Sequence, residues 1–165
     1  MKSLSRYLIA GFAAAALAAP VAGQRSDDQI LPKSVELQKQ GRELMSAGKL
    51  ELAEDSLETA LAVDPRNRGA FVDLARVAEK QHLFGKAIRM TNKALEIEPN
   101  DPDAIAVQGE AMVELGATAR AQANLQKLQT LCAAKGCPQV AQLSAAISRG
   151  PTVASAKAPE TPKSN

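Results

Sequence analysis

The sequence predicts an all-α fold, a short solenoid of about three helical hairpins followed by a C-terminal capping helix. Ala53 and Ala87 lie 34 positions apart, and Pro65 and Pro99 share that spacing. Between these positions the apolar residues recur at the helical period, and no stretch alternates as a strand does. A repeat of this length with a proline closing each unit is typical of stacked helical hairpins.

The chain begins with the features of a secretory signal peptide. Lys2 and Arg6 precede an uncharged apolar run from Tyr7 to Ala19, which is the usual order in such signals. The run is about 13 residues long, whereas a membrane span needs roughly 20. We therefore expect cleavage after Gly23 and a periplasmic or secreted protein. Cleavage near Ala18 and retention of the segment as a membrane anchor are the alternatives.

The hairpins form three units after a linker. The linker is expected over residues 24–33, and the units over residues 34–67, 68–101 and 102–135. Two helices approach to about 8–10 Å only where the facing side chains are small. Small residues recur at one position of the first helices, namely Gly41, Ala75 and Gly109. They also recur at one position of the second helices, namely Ala53, Ala87 and Ala121.

Further signals mark the third unit and the C-terminal segments. Asp101 before Pro102 predicts an N-cap with proline in the first helical position. A capping helix is expected over residues 136–149, where apolar residues recur on one face. Residues 150–165 contain three prolines and almost no bulky apolar side chain. Such a segment cannot repay the entropy of ordering, so we expect a disordered tail.

The two cysteines lie close together in the sequence. Cys132 and Cys137 are separated by four residues, and in an oxidising compartment a disulfide is the default for two lone cysteines. A catalytic dithiol is the alternative, although the spacing is not Cys-x-x-Cys. His82 occupies the turn position held by glycine in the other units, so we expect a surface residue. One histidine and two cysteines supply too few ligands for a zinc site.

Composition narrows the class of partner. Loss of Lys2 and Arg6 with the signal peptide leaves 18 basic against 18 acidic residues. A nucleic-acid partner is therefore not expected, because such binding needs clustered positive charge. The mature chain keeps only Phe71 and Phe84 as aromatic residues, so stacking surfaces for bases are almost lacking. The expected partner is a peptide or a protein.

The pattern resembles the tetratricopeptide repeat family. The residues of the first unit that match the family pattern are Leu37, Gly41, Leu44, Ala53, Leu57, Ala60 and Pro65, and the second unit is similar. Departures are Gln40, Thr91, Gln108 and, in a degenerate third unit, Ala133 in place of the closing proline. The resemblance covers roughly residues 34–135. It implies a right-handed solenoid whose first helices line a concave groove.

The resemblance also implies which residues face a partner. Carried onto this chain, the groove positions are Gln38, Arg42, Met45, Val72, Arg76, Glu79, Ala106, Glu110 and Val113. Arg42 and Arg76 share one position of the repeat, and both can hold a peptide carboxylate. The alternative is that they are solvated or pair with Glu79 and Glu110. The Lys and Asn residues of the family's carboxylate clamp are not matched here.

The expected function is that of an exported adaptor without catalytic activity. It would bind a peptide or protein in the groove, in the periplasm or cell envelope, with no cofactor, no metal and no membrane span once the signal is removed. One alternative is a thiol-dependent redox or folding factor that uses Cys132 and Cys137. Another is the accessory subunit of an enzyme or secretion complex. No phosphate loop or Ser-His-Asp set supports an enzyme.

Overall fold

The computed structural model describes residues 29–134 and 136–152. The predicted signal peptide, half of the predicted linker and nearly all of the predicted tail lie outside these residues. Within the described ranges the chain forms helices only, and none is long and apolar enough to cross a membrane. Their bounds are α1 Pro32–Ser46, α2 Leu50–Val63, α3 Arg68–Lys80, α4 Phe84–Ile97, α5 Pro102–Glu114, α6 Thr118–Cys132 and α7 Pro138–Arg149.

The helices pair in order along the chain, which confirms the all-α solenoid. α1 packs on α2, α3 on α4 and α5 on α6, and α7 packs on both α5 and α6. Ala53, Ala87 and Ala121 are fully buried. A Cβ atom on Gly41 would lie 2.6 Å from Cγ of Leu57, so a larger side chain would force α1 and α2 apart.

Polar side chains cap the N-termini of α3 and α5, the first helices of the second and third units. Asn67 accepts a hydrogen bond from the N–H of Ala70 at 3.1 Å and caps α3. Asp101 does the same for α5, one repeat later, with Ala104 at 2.8 Å. α1 is different, since it begins at Pro32, two residues before the predicted first unit. Proline is preorganised for the first helical position and needs no hydrogen-bond acceptor there, so the helix starts earlier.

The turns inside the hairpins also repeat. Gly48 and Gly116 have φ of 72° and 74°, and His82 at the equivalent position of the second hairpin has φ of 59°. Glycine adopts this left-handed conformation without steric cost, whereas histidine does not. His82 is exposed, as expected for a surface turn residue.

Candidate functional site

A groove of about 720 Å³ opens beside the first helices of units one and two. Its walls come from the N-terminal segment, α1, α3 and the region where α4 leads into α5. The residues that line it, and that define the groove below, are Ile30, Val35, Gln38, Arg42, Arg66, Asn67, Arg68, Gly69, Val72, Asp73, Arg76, Ile97, Glu98 and Asp103.

Asp73 organises the centre of the groove. Its carboxylate accepts a hydrogen bond from Nε2 of Gln38 at 2.7 Å. It also pairs with Nε of Arg42 at 3.2 Å and Nη1 of Arg76 at 3.1 Å. Gly69 makes room for this arrangement, because a Cβ atom there would lie 2.5 Å from Nε2 of Gln38. One buried carboxylate therefore ties α1 to α3.

Arg76 extends the contact to the third unit. Its Nη2 lies 2.7 Å from Oδ1 of Asp103, and the same oxygen accepts a bond from Nε2 of Gln139 on α7 at 3.1 Å. Arg42 and Arg76 thus line one groove. The carboxylates that pair with them are Asp73 and Asp103. We call Gln38, Arg42, Asp73, Arg76 and Asp103 the Asp73 cluster.

The cluster presents guanidinium groups and hides the central carboxylate. The side chain of Arg42 is 53% exposed, whereas that of Asp73 is 3% exposed. Arg68 shows the same relation, since its side chain is 41% exposed and its partner Asp101 is fully buried. A carboxylate held behind an arginine fixes the guanidinium in space, so less entropy is lost when a ligand binds it.

A third pair of this kind stands at the N-terminal edge of the groove. Asp64 accepts a hydrogen bond from the N–H of Leu31 at 2.9 Å and pairs with Nε of Arg66 at 3.3 Å. The hydrogen bond from Leu31 has the largest effect on the pKa of Asp64, and together with the contacts from Arg66 it holds this pKa below its ordinary value. The segment before α1 is thereby attached to the end of α2.

The other residues assigned to the groove by resemblance divide into three groups. Val72 is buried in the groove floor, and Met45 packs against the core of the first hairpin. Ala106 and Val113 are almost wholly buried, in clusters that include Leu143 and Ile147 of α7. These two offer a partner almost no surface, because α7 covers the face of α5 on which they lie.

Glu79 and Glu110 lie apart from the Asp73 cluster, in a separate cavity of about 180 Å³ near the C-terminal ends of α3 and α5. Burial, followed by the nearby carboxylate of Glu110, raises the pKa of Glu79 to about 8; Arg76 opposes this change and Glu114 adds to it. Burial also raises the pKa of Glu110. At neutral pH Glu79 is therefore largely protonated.

The two cysteines come together where α6 ends and α7 begins. Cys132 and Cys137 are at disulfide distance, with Cα atoms 5.6 Å apart, within the range that a disulfide requires. In the part of the chain that the structure describes, no group of three or more His, Cys, Asp or Glu side chains could hold a metal ion.

Sequence reasoning missed Asp73 and the two exposed aliphatic residues of the groove, Val35 and Ile97. Asp73 stands inside the run Phe71-Val72-Asp73-Leu74-Ala75. A lone charge within an apolar stretch of a helix is almost never fully buried unless it is paired. The sequence therefore indicates that Asp73 is paired, but it does not reveal the partners Gln38 and Arg42, which lie 35 and 31 residues away.

Comparison with known proteins identifies the repeat. A family model described as tetratricopeptide repeat matches residues 44–109. The cellulose synthase 2 operon protein C of Komagataeibacter xylinus is 39% identical over 71 residues, which are 43% of this chain and only 5% of that protein. The chain thus matches a small part of this relative.

Solved structures share the fold. The TPR2B domain of yeast Sti1, in complex with an Hsp70 peptide, has a TM-score of 0.64 at 22% identity, covering 71% of this chain and 97% of that one. The Arabidopsis OM64 TPR domain has a TM-score of 0.64 at 19% identity, covering 71% of this chain and 93% of that one. The second TPR domain of human RPAP3, bound to an HSP70 peptide, has a TM-score of 0.62 at 20% identity, covering 69% of this chain and 94% of that one. The family model thus assigns residues 44–109 to the tetratricopeptide repeat, and the likenesses to solved structures show that the chain shares the fold of tetratricopeptide domains.

Proposed function

We propose that this protein is a non-catalytic adaptor that binds a segment of a partner protein in the groove beside α1 and α3, in the periplasm or cell envelope. The observation that carries the proposal is the row of exposed guanidinium groups backed by buried carboxylates. Arg42 and Arg68 are each held in this way. Preorganised guanidinium groups suit a carboxylate-bearing segment, because they bind carboxylates with fixed geometry.

The similar structures support this use of the fold. The Sti1 and RPAP3 domains are each described in complex with a peptide of a heat-shock protein. Their identity to this chain is low, so they support a binding role and not a particular ligand. The near-neutral charge of the mature chain and its two aromatic residues support a peptide or protein rather than a nucleic acid.

The location rests on the sequence of residues 1–23. We propose export and cleavage near Gly23, since Lys2, Arg6 and the apolar run after them form the pattern of a signal peptide. Intact-mass measurement of the protein from a fractionated cell is the check. A chain that begins near Gln24 in the periplasmic fraction supports the proposal, and an uncleaved chain in the membrane fraction contradicts it.

The adaptor function is tested by affinity capture with the mature protein from envelope extract, followed by titration of the captured partner. Arg42→Ala combined with Arg76→Ala should weaken binding by several kcal/mol at most, because hydrogen bonds to charged groups contribute about 1.5–3 kcal/mol each. Arg89→Ala, an exposed arginine on α4, is the matched control. Unchanged affinity in a folded double variant would place the binding site elsewhere.

For the cysteine pair we propose a structural bridge that joins α7 to the end of α6. The redox alternative predicts a readily reduced bond, above the roughly −300 mV typical of structural disulfides, and mixed disulfides with client proteins trapped by Cys137→Ser. The structural bridge predicts no such adducts and a partner that is still captured after Cys132→Ala with Cys137→Ala. Trapped adducts would favour the redox function.

A further inference from the structure

The groove combines exposed aliphatic side chains with its guanidinium groups. Val35 on α1 is 47% exposed and Ile97 at the end of α4 is 43% exposed, and both line the groove. Ile30, from the segment before α1, lines it as well. Large aliphatic residues exposed inside a cavity, and on different elements of its wall, point to an apolar group of a ligand.

Among the arginines of the groove, Arg42 is placed to bind a ligand. Its nearest contact with Asp73 is through Nε, and no hydrogen bond joins its two Nη groups to another described residue. Arg76, by contrast, uses both Nη groups on Asp73 and Asp103. Asp73 therefore acts as a positioning residue for Arg42, whereas Arg76 joins α3 to α5.

The spacing along α1 sets the pattern that a ligand must match. Val35 and Arg42 are seven residues apart, which is about 10 Å along a helix that rises 1.5 Å per residue. An extended chain covers about 3.3 Å per residue, so this distance corresponds to roughly three residues. Val35, Gln38 and Arg42 all line the groove, and therefore the two contacts face the same ligand.

We infer that the groove selects an extended segment of a partner protein in which an aliphatic side chain lies about three residues from an acidic side chain. The aliphatic group packs on Val35, and the acidic carboxylate binds the Nη groups of Arg42. The inference rests on the proposed adaptor function and specifies its ligand. A membrane surface or a nucleic acid suits the groove less well, because buried carboxylates neutralise the arginines and such polyanions need a net positive charge.

The experiment is selection of displayed random peptides, fused at their C-terminus so that only side-chain carboxylates are offered, on the mature protein. Recovered peptides are then synthesised with blocked ends and titrated. We expect them to share an aliphatic and an acidic residue at the stated spacing. Arg42→Met should lower affinity about tenfold or more, since it removes charged hydrogen bonds, and Arg42→Lys should lower it less.

Matched variants separate the two contacts. Val35→Ser should weaken binding of the same peptides, whereas Leu52→Ser, an equally exposed aliphatic residue on α2, should not. Arg89→Met on α4 is the control for Arg42→Met. Thermal melts verify that each variant is folded; Asp73 keeps Gln38 and Arg76 as partners when Arg42 is changed.

Hydrogen exchange of the peptide complexes separates the possible failures. Peptides that protect α1 and α3 but lack the aliphatic and acidic pattern, or bind Arg42→Met unchanged, overturn this inference and leave the adaptor function standing. Recovery of no peptide, or of peptides that protect only other helices, overturns both. Recovered peptides with the pattern, sensitive to Arg42→Met and Val35→Ser, support both.

Discussion

Two contacts between first helices of adjacent units are built in opposite ways. Where α1 meets α3, the contact is polar, with Gln38 and Arg42 bound to the buried carboxylate of Asp73. Where α5 meets α7, which takes the place of a further first helix, the contact is mainly apolar, with the hydrogen bond from Gln139 to Asp103 near the N-terminal ends of the two helices. There a Cβ atom on Gly109 would lie 2.6 Å from Cδ1 of Leu143, so the leucine occupies the space of the missing side chain.

The difference explains why the groove lies at one end of the protein. An apolar contact brings helices together and covers their faces, as α7 does for Ala106 and Val113 on α5. A polar contact leaves the charged ends of the arginines in solvent, since a guanidinium keeps its head in water while its stem is buried. The first two units therefore stay open to a ligand, and the third is closed by α7.

Gly41 and Gly109 illustrate the same difference. They share one position of the repeat, and the sequence suggests one reason for both, namely close approach within a hairpin. Gly41 does meet Leu57 of its own hairpin, whereas the nearest atoms to a Cβ on Gly109 all belong to Leu143 of α7. The expectation is wrong for Gly109, because α7 supplies the leucine that fills this position.

The largest effect on stability is expected when the apolar contact between α5 and α7 is broken. Leu143 is fully buried, so Leu143→Ala should lower the free energy of unfolding by about 2–5 kcal/mol through lost burial and the remaining cavity. Leu131→Ala, at an exposed leucine of α6, is the matched control and should change it by less than about 0.5 kcal/mol. Urea unfolding midpoints provide the measurement. Similar midpoints for both variants would mean that α7 does not stabilise the stack.

A smaller effect is expected when the polar contact is broken. Asp73→Ala leaves the amide of Gln38 and the guanidinium of Arg42 without their acceptor and removes one of the two carboxylates bound by Arg76. We expect a loss of about 2–3 kcal/mol in the free energy of unfolding. Part of the cost is recovered because the arginines reach water. Asp55→Ala, on the exposed face of α2, should cost little. If the two aspartate variants unfold at the same urea concentration, Asp73 does not hold α1 to α3.

The smallest effect depends on pH and concerns Glu79. Its pKa is raised from the ordinary 4.5 to about 8, so between these pH values the folded protein keeps a proton that the unfolded chain releases. Stability should therefore fall as pH rises through this range, and Glu79→Gln should remove the loss. After allowance for local rearrangement we expect the variant to gain roughly 1–2 kcal/mol at pH about 9 and little at pH about 5.

The charged groups around Glu79 determine this result. Glu110 and Glu114 disfavour its ionised form and Arg76 favours it. Glu51→Gln, at an exposed residue of α2, controls for the general loss of a negative charge. Melts of both variants across the pH range give the comparison. A gain for Glu79→Gln that does not change with pH would show that Glu79 is not protonated in the folded protein.

The repeat could be predicted from the sequence because its signals are local and recur. The spacing of Ala53 and Ala87, and of Pro65 and Pro99, follows from geometry that every unit must satisfy. Asp73 could not be assigned in this way, since Lys39 and Val107 stand at its equivalent positions. Its role depends on side chains from neighbouring units, and such contacts between distant parts of the chain are not encoded by a local pattern.

Hydrogen exchange of the mature protein with and without its captured partner tests the central claim most directly, that the open α1–α3 side of the stack binds the partner. We expect added protection of amides in residues 32–46 and 68–80, with exchange in α7 unchanged and the added protection absent from the Arg42→Ala, Arg76→Ala variant. Protection confined to α7 or to the second helices α2, α4 and α6 would contradict the account.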